Sequence, residues 1–203
     1  MDDEDGIEII EHGTAYQGYF RIDRYRLRHR VFEAGWSPEM TREVFERGHA
    51  VVVLPYDPVL DRVVMIEQFR IGAFTAPDFS PFQTEVVAGM VDSGQTAEEA
   101  ARRETKEETG LEAQDLFFVN RFLVSPGGTS ESLHFYCARV DSAGAGGVHG
   151  DEGEHEFMRV FTASATEAFA MLEDGRITNA VTIIALQWLK LNHASLRDKW
   201  RAA

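Results

Sequence analysis

The stretch from Thr84 to Leu111 constrains this chain more tightly than any other. Thr84 to Ala88 reads as a short strand, and Gly89 and Gly94 then bracket a loop that brings backbone close to the start of a helix. Thr96-Ala97-Glu98-Glu99 is a capping box, with Thr96 as N-cap and Glu99 three residues on. The spacing predicts a helix from there to Thr109, stopped by Gly110. Upstream, Ala50–Leu54 and Arg62–Phe69 read as β-branched strands joined by the turn signals of Pro55-Tyr56-Asp57-Pro58. Further strands are expected near Leu116–Val124 and Leu133–Val140. A Gly/Ala segment, Gly144 to Gly147, leads into an acidic loop from His149 to Glu156. Ser164-Ala165-Thr166-Glu167 is a second capping box, and Gly175 is expected to end its helix. A last helix starts near Asn179. Its apolar surface, from Ala180 through Ile184, Trp188 and Leu191, is broad enough to need covering by a sheet or a partner.

Three glutamates of the first helix carry the chemical interest. Glu104, Glu107 and Glu108 stand at i, i+3 and i+4, so their carboxylates share a face. Like charges there destabilise a helix by a few tenths of a kcal/mol per pair. A hard divalent cation turns that repulsion into binding, because Mg²⁺ and Mn²⁺ favour carboxylate oxygens, water and phosphates. Arg103, four residues before Glu107, is placed to hold one carboxylate by an ion pair. Taken alone, three glutamates at this spacing suit a solvated acidic face better than a site.

The chain has 203 residues, 44% of them hydrophobic, enough for one good-sized domain or for one domain plus a small appendage. A net charge of −14 argues against a nucleic-acid polymer as partner. A small anionic ligand remains compatible, since bound metal supplies local positive charge. Cys137 is the single cysteine, so no internal disulfide forms, and a reducing compartment is the simplest reading. Met1 to Asp5 is acidic with no apolar stretch behind it, unlike a secretory signal, and no run reaches the length of a membrane span. A soluble cytoplasmic protein without a membrane partner is expected. His149 and His155 flank acidic positions but read as solvated loop histidines, and Cys137 as a small buried residue.

The section from Ile7 to Arg47 has its own character. Arg21, Arg24, Arg26, Arg28, His29 and Arg30 crowd together, and most are expected on a solvated strand face. The alternation of Phe20 and Ile22, then Tyr25 and Leu27, suggests strands with an irregularity between them. So short a segment cannot bury both faces alone. It must pack on the rest of the chain or on a second copy.

Read whole, Gly89 to Leu111 (Gly, five residues, Gln95, seven residues, then Arg103-Glu104-x-x-Glu107-Glu108-x-Gly110-Leu111) resembles the signature of the Nudix hydrolases. Gln95 stands where the family usually has Glu, and Thr105 where it usually has an aliphatic residue. The first removes a carboxylate from the metal region. The second points to a more polar helix underside. Ser125-Pro126-Gly127-Gly128-Thr129-Ser130-Glu131, Arg42 to Ala50, Glu67-Gln68-Phe69-Arg70 and Thr178 to Trp188 look like the ADP-ribose pyrophosphatase branch. The loop from Ala76 to Phe82 is among the parts least alike.

The resemblance implies an α/β fold: an α/β/α sandwich with a mixed sheet (48–203) plus a small N-terminal β-rich domain (1–47), exchanged across a homodimer. It implies Mg²⁺, or Mn²⁺, held by Glu104, Glu108 and the Ala88 carbonyl, with Glu107 and Glu85 as further contacts. Arg70 and, from the partner subunit, Arg42 are implied for the diphosphate, Tyr19 or Phe20 for adenine, and Ser125 and Glu131 for the terminal ribose. Glu154 is implied as catalytic base, with Glu156 the alternative, beside the core formed by Arg103 to Glu108. The implied reaction is hydrolysis of ADP-ribose to AMP and ribose 5-phosphate. Its rivals are another substrate such as GDP-mannose or a diadenosine compound, and a domain that binds ADP-ribose without cleaving it. Loss of the carboxylates would mark that last case, and Glu104, Glu107, Glu108 and Glu154 are all present.

Overall fold

A computed structural model describes residues 6–33, 35–150, 153 and 156–202. The chain divides into two compact units, one running to His49 and including Phe122–Leu133, the other formed by Ala50–Arg121 and His134 onward. The elements in order are β1 (Ile7–Gln17), β2 (Arg21–Val31), β3 (Gly35–Trp36), β4 (Met40–Glu46), β5 (Ala50–Asp57), β6 (Arg62–Phe69), α1 (Ile71–Thr75), β7 (Phe82–Glu85) and β8 (Val87–Met90). They continue with α2 (Ala97–Thr109), β9 (Asp115–Leu123), β10 (Ser132–Arg139), β11 (Gly147–His149), β12 (Met158–Ser164), α3 (Ala165–Glu173) and α4 (Ala180–Arg201). Among the described residues no helix is long and apolar enough to cross a membrane.

In the first unit, β2 pairs antiparallel with β1, β3 and β4. The expected irregularity lies elsewhere than expected: β2 is continuous through Phe20's neighbours to Val31, and the register shifts fall on β1, between Ile9 and Glu11 and between Thr14 and Tyr16. Two inserted residues there let β2 keep its ladder while its side-chain phase against β1 changes. Arg21, Arg24, Arg26, His29 and Arg30 are exposed, as a solvated face implies, and several of the arginines have partners there. Arg28 pairs with Glu8 directly across the ladder, Arg26 with Glu11 and Glu39, and the Arg28 and Arg30 guanidinium groups lie over the Trp36 ring. Between residues 6 and 49 the buried side chains among those described are Asp23 and Ser37, both polar.

The second unit is of the α/β class, built on a mixed eight-stranded sheet of order β11-β12-β6-β5-β10-β9, with β7 on β6 and β8 on β5. Every residue of β5 is buried, which requires cover on both faces. Val51, Val53, Val64, Ile66 and Val87 pack with Ala100 and Ala101 of α2. The alternate set includes Tyr56, whose ring meets His193 and Trp200 of α4. The last helix buries Ala185, Leu186, Leu189 and Trp200 but leaves Ile184 and Leu191 exposed, so its broad apolar surface is only partly covered within this chain. Trp188 packs between Phe117 and Phe135, and Cys137 is a buried free thiol.

Both capping boxes form, at Thr96 and at Ser164, and Gly110 takes the left-handed conformation that ends α2. Three strand boundaries differ from expectation. The segment Thr84–Ala88 is two strands, since the chain leaves β6 after Glu85 and joins β5 at Val87; between them the Val86 N–H donates to Thr182 Oγ1. Strands β11 and β12 pair on either side of the acidic loop, in stretches where no strand was expected.

The third difference is at Pro55-Tyr56-Asp57, where the strand runs on and the turn falls at Pro58–Asp61. Burial of Tyr56 favours the extended path. Asp57 holds it by accepting from the N–H groups of Val59 (2.9 Å), Leu60 (3.0 Å) and Ser142 (2.9 Å) and from the Ser142 hydroxyl (2.8 Å). Burial pushes the Asp57 carboxyl up, but these donors outweigh it and hold it below the ordinary range. A depressed folded-state pKa gives stability that is present above the unfolded value, near pH 4, and lost as pH falls through the folded one. Asp57→Ala leaves buried donors unpaired and is expected to cost about 2–3 kcal/mol in urea unfolding at neutral pH, with a smaller difference from wild type in acid.

Candidate active site

The three helical glutamates separate once α2 is packed on the sheet. Glu104 and Glu108, one turn apart, are turned inward and buried at 9% and 4% exposure, while the Glu107 side chain is 56% exposed. Their approach to β8 depends on Gly89. A Cβ there would lie 1.8 Å from the Glu104 carboxyl carbon, so the missing side chain is what lets helix and strand meet with a carboxylate between them. Gly94 has a different reason to be glycine: its φ is +84° and nothing lies near a Cβ built on it. Gly89→Ala must displace the Glu104 carboxyl, the end of that side chain, from its buried position. It is expected to lower turnover roughly 10²-fold, the scale of an ångström of misplacement, with the circular dichroism of the fold unchanged.

Arg103 fastens this arrangement. Its guanidinium reaches Glu104 (2.9 Å) and Glu107 (2.8 Å) on its own helix, and the Met90 carbonyl (3.0 Å), Gln95 Oε1 (3.3 Å) and Asp92 (3.3 Å) in the preceding loop. Gln95 thus serves as an oxygen acceptor for Arg103, and it also accepts from the Asp92 N–H. Thr105 does not make the helix underside polar: it is fully buried, and its hydroxyl donates to the Ala101 carbonyl one turn back.

The two inward carboxylates are short of positive charge. Burial pushes Glu104 up to about 7; Arg103 opposes this, while Glu107 and Glu156 add to it. Burial also raises Glu108 well above the ordinary carboxylate range, reinforced by the charges of Glu104 and Glu156 and only partly opposed by the Ala88 N–H (3.3 Å) and Arg70. This donor set fits a hard divalent cation, which takes one or two carboxylates and fills its shell with water and phosphate oxygens. Among the described residues no three His, Cys, Asp or Glu side chains form a ready-made metal cage.

Glu85 is buried beside this pair, with its oxygens already engaged. Arg70 donates to it twice through one oxygen (3.1 and 2.8 Å), Gln68 at 3.3 Å and Asn179 at 2.9 Å. As placed, Glu85 orients Arg70. Asn179 and Gln68 are members of the site that the sequence did not single out. The signal was present for Asn179, whose Oδ1 caps α4 by accepting from Thr182 and whose amide nitrogen is left to reach across. Glu156 is placed so that its charge acts on Arg70, Glu104 and Glu108, whereas Glu154 and His155, like Met1 to Asp5, lie outside the described residues. His149 is not a solvated loop histidine. It ends β11, its Nε2 donates to the Gly146 carbonyl at 2.9 Å, and its ring lies against Gly110.

The remaining candidates belong to the first unit. Arg42 lines a cavity of about 530 Å³ with Val44, Leu123, Pro126, Thr129 and Ser130. Backbone and side-chain bonds from Phe45 to Gly128 and Thr129 fix the loop against β4. Ser125 is exposed at the start of that loop, and Glu131 is buried beside Arg47 at 3.5 Å. Tyr19, almost wholly exposed, packs edge-on to Phe20, which meets Phe45 in the same way.

Comparison with known proteins agrees with this geometry. The NUDIX domain matches residues 46–203. The ADP-ribose pyrophosphatase of Escherichia coli (strain K12) is 47% identical over 194 residues, covering 96% of this chain and 92% of that protein. The GDP-mannose pyrophosphatase of Yersinia enterocolitica is 32% identical over 187 residues, covering 92% and 96%. A solved structure described as an ADP compounds hydrolase shares the fold, with a TM-score of 0.70 at 24% identity over 91% of this chain and 94% of that one. This chain belongs to the Nudix hydrolase family, in the branch of the curated ADP-ribose pyrophosphatases.

Proposed function

We propose that this enzyme hydrolyses the diphosphate of ADP-ribose, giving AMP and ribose 5-phosphate. The observation that carries the reading is the buried, under-neutralised pair Glu104 and Glu108 beside Arg70 and Glu156. Glu104, Glu108 and the Ala88 carbonyl would hold Mg²⁺, or Mn²⁺, which when bound supplies positive charge to the diphosphate oxygens. Arg70, aimed by Glu85, binds the diphosphate, and Arg103 keeps Glu104 in place. A loop glutamate, Glu154 with Glu156 as the alternative, takes the proton of the attacking water. Holding substrate at both nucleoside and phosphates fixes the bond for in-line attack.

GDP-mannose is the rival substrate, supported by the lower of the two identities. Chromatography of products from a panel of ADP-ribose, GDP-mannose and diadenosine compounds separates them. ADP-ribose is expected to have the highest kcat/KM by about tenfold or more, a discrimination of one or two pocket contacts. A preference for GDP-mannose overturns the substrate assignment, and binding of ADP-ribose without turnover favours the non-catalytic module.

The working unit is a homodimer that exchanges its N-terminal section. Support comes from the polar character of what residues 6–49 bury and from Tyr19 and Phe32, which are almost wholly exposed. Sedimentation is expected to give twice the 22.8 kDa chain mass, and a fully active monomer contradicts it. Location in the cytoplasm belongs to the same reading, supported by a single cysteine kept as a buried free thiol.

A further inference from the structure

The segment that carries Glu156 is held at its neck by two glycine contacts. Strands β11 and β12 form a hairpin whose last pair is His149 with Met158. Beyond that pair the chains stay close. A Cβ on Gly150 would sit 2.4 Å from the Glu156 carbonyl oxygen and 3.0 Å from its carbonyl carbon. These are backbone atoms, which no rotamer change can move aside, so a side chain at 150 displaces Glu156 by about 1 Å to reach ordinary contact near 3.4 Å. The other strand of the neck is tied to α2. A Cβ on Gly110, the left-handed C-cap, would lie 2.9 Å from His149 Cε1. Contact thus runs from the end of α2 through His149 and Gly150 to Glu156. The Glu156 charge in turn acts on Glu104 and Glu108 of the same helix, and on Arg70.

We propose that Gly150 is a positioning residue, acting through Glu156: its missing side chain sets where Glu156 stands beside Glu104, Glu108 and Arg70. The proposal rests on the hydrolase reading above. Its rival is that Gly150 is glycine only because its φ of +118° disfavours other residues. Gly144 offers the control, since it has a φ of +83° and nothing within 4 Å of a Cβ.

The test is a double-mutant cycle on kcat and KM with ADP-ribose and Mg²⁺, using Gly150→Ala, Glu156→Gln and the pair together. Gly150→Ala is expected to lower kcat by up to about tenfold, no more than Glu156→Gln itself, with KM little changed, and to add nothing in the Glu156→Gln background. Gly144→Ala is expected to leave kcat near wild type. Losses that multiply in the double variant overturn the proposal, as does an equal loss in Gly144→Ala. Should Gly150→Ala fail to fold, His149→Ala probes the same contact path. It is expected to give a smaller loss that likewise vanishes in the Glu156→Gln background, and a loss that persists there overturns the proposal. A wild type that cleaves ADP-ribose while Glu156→Gln matches it sinks this proposal alone, whereas a wild type that cleaves no nucleoside-diphosphate sugar sinks the functional reading and this proposal with it.

Discussion

Glu108→Gln is expected to leave a folded protein that turns over substrate roughly 10³-fold more slowly, as loss of a group that sets the charge at the reacting phosphates does. The same substitution is expected to raise the melting temperature of metal-free protein. Glu108 is 4% exposed, and its carboxyl is driven well above the ordinary range by burial and then by Glu104. At neutral pH the folded protein must either take up a proton there or hold a buried charge without a full partner, and both oppose folding. An amide of the same shape removes that cost. Adding Mg²⁺ is expected to raise the melting temperature of wild type and not of the variant, because ligand that binds only the folded state stabilises it by mass action. Wild-type rates in Glu108→Gln at saturating Mg²⁺ would remove Glu108 from the site.

The second large effect is expected at the loop glutamate. Carboxylates committed to a cation must stay ionised and are poorly placed to accept a proton from water, which moves the base away from α2. Glu154→Gln keeps size and much of the hydrogen bonding but loses proton affinity. It is expected to lower kcat by roughly 10²–10⁴-fold with little change in affinity, the usual range for general-base catalysis. Glu156→Gln removes a charge that acts on Glu104, Glu108 and Arg70, and is expected to cost about tenfold. If Glu156→Gln shows the larger loss, the base stands two residues further along. If neither variant loses more than a few-fold, the reaction needs no protein base.

What the sequence made legible was local. Thr96 with Glu99 and Ser164 with Glu167 mark helix starts because both partners of each cap lie within one turn, and Gly110 marks a stop for the same reason. Spacing alone also put three glutamates on one face. It could not say that two turn inward and one outward, because that depends on Gly89 of β8 admitting Glu104. The strand through Tyr56 was hidden behind strong turn residues, and what overrides them is Ser142, far along the chain, donating to Asp57. Likewise the resemblance implied Glu85 as a further metal contact, without its hold on Arg70. Its partners Arg70 and Asn179 come from β6's end and the start of α4, which only the folded sheet brings together. The family signature bridged part of this gap, since it encodes in sequence the outcome of such long-range packing.

The most direct test of the account is the rate of AMP release from ADP-ribose as Mg²⁺ is titrated into chelator-treated wild-type protein. No release without metal, saturation with added Mg²⁺, and one ribose 5-phosphate formed for each AMP are the predicted result. Cleavage that persists in excess chelator, or no cleavage of ADP-ribose at saturating Mg²⁺ or Mn²⁺, would contradict it.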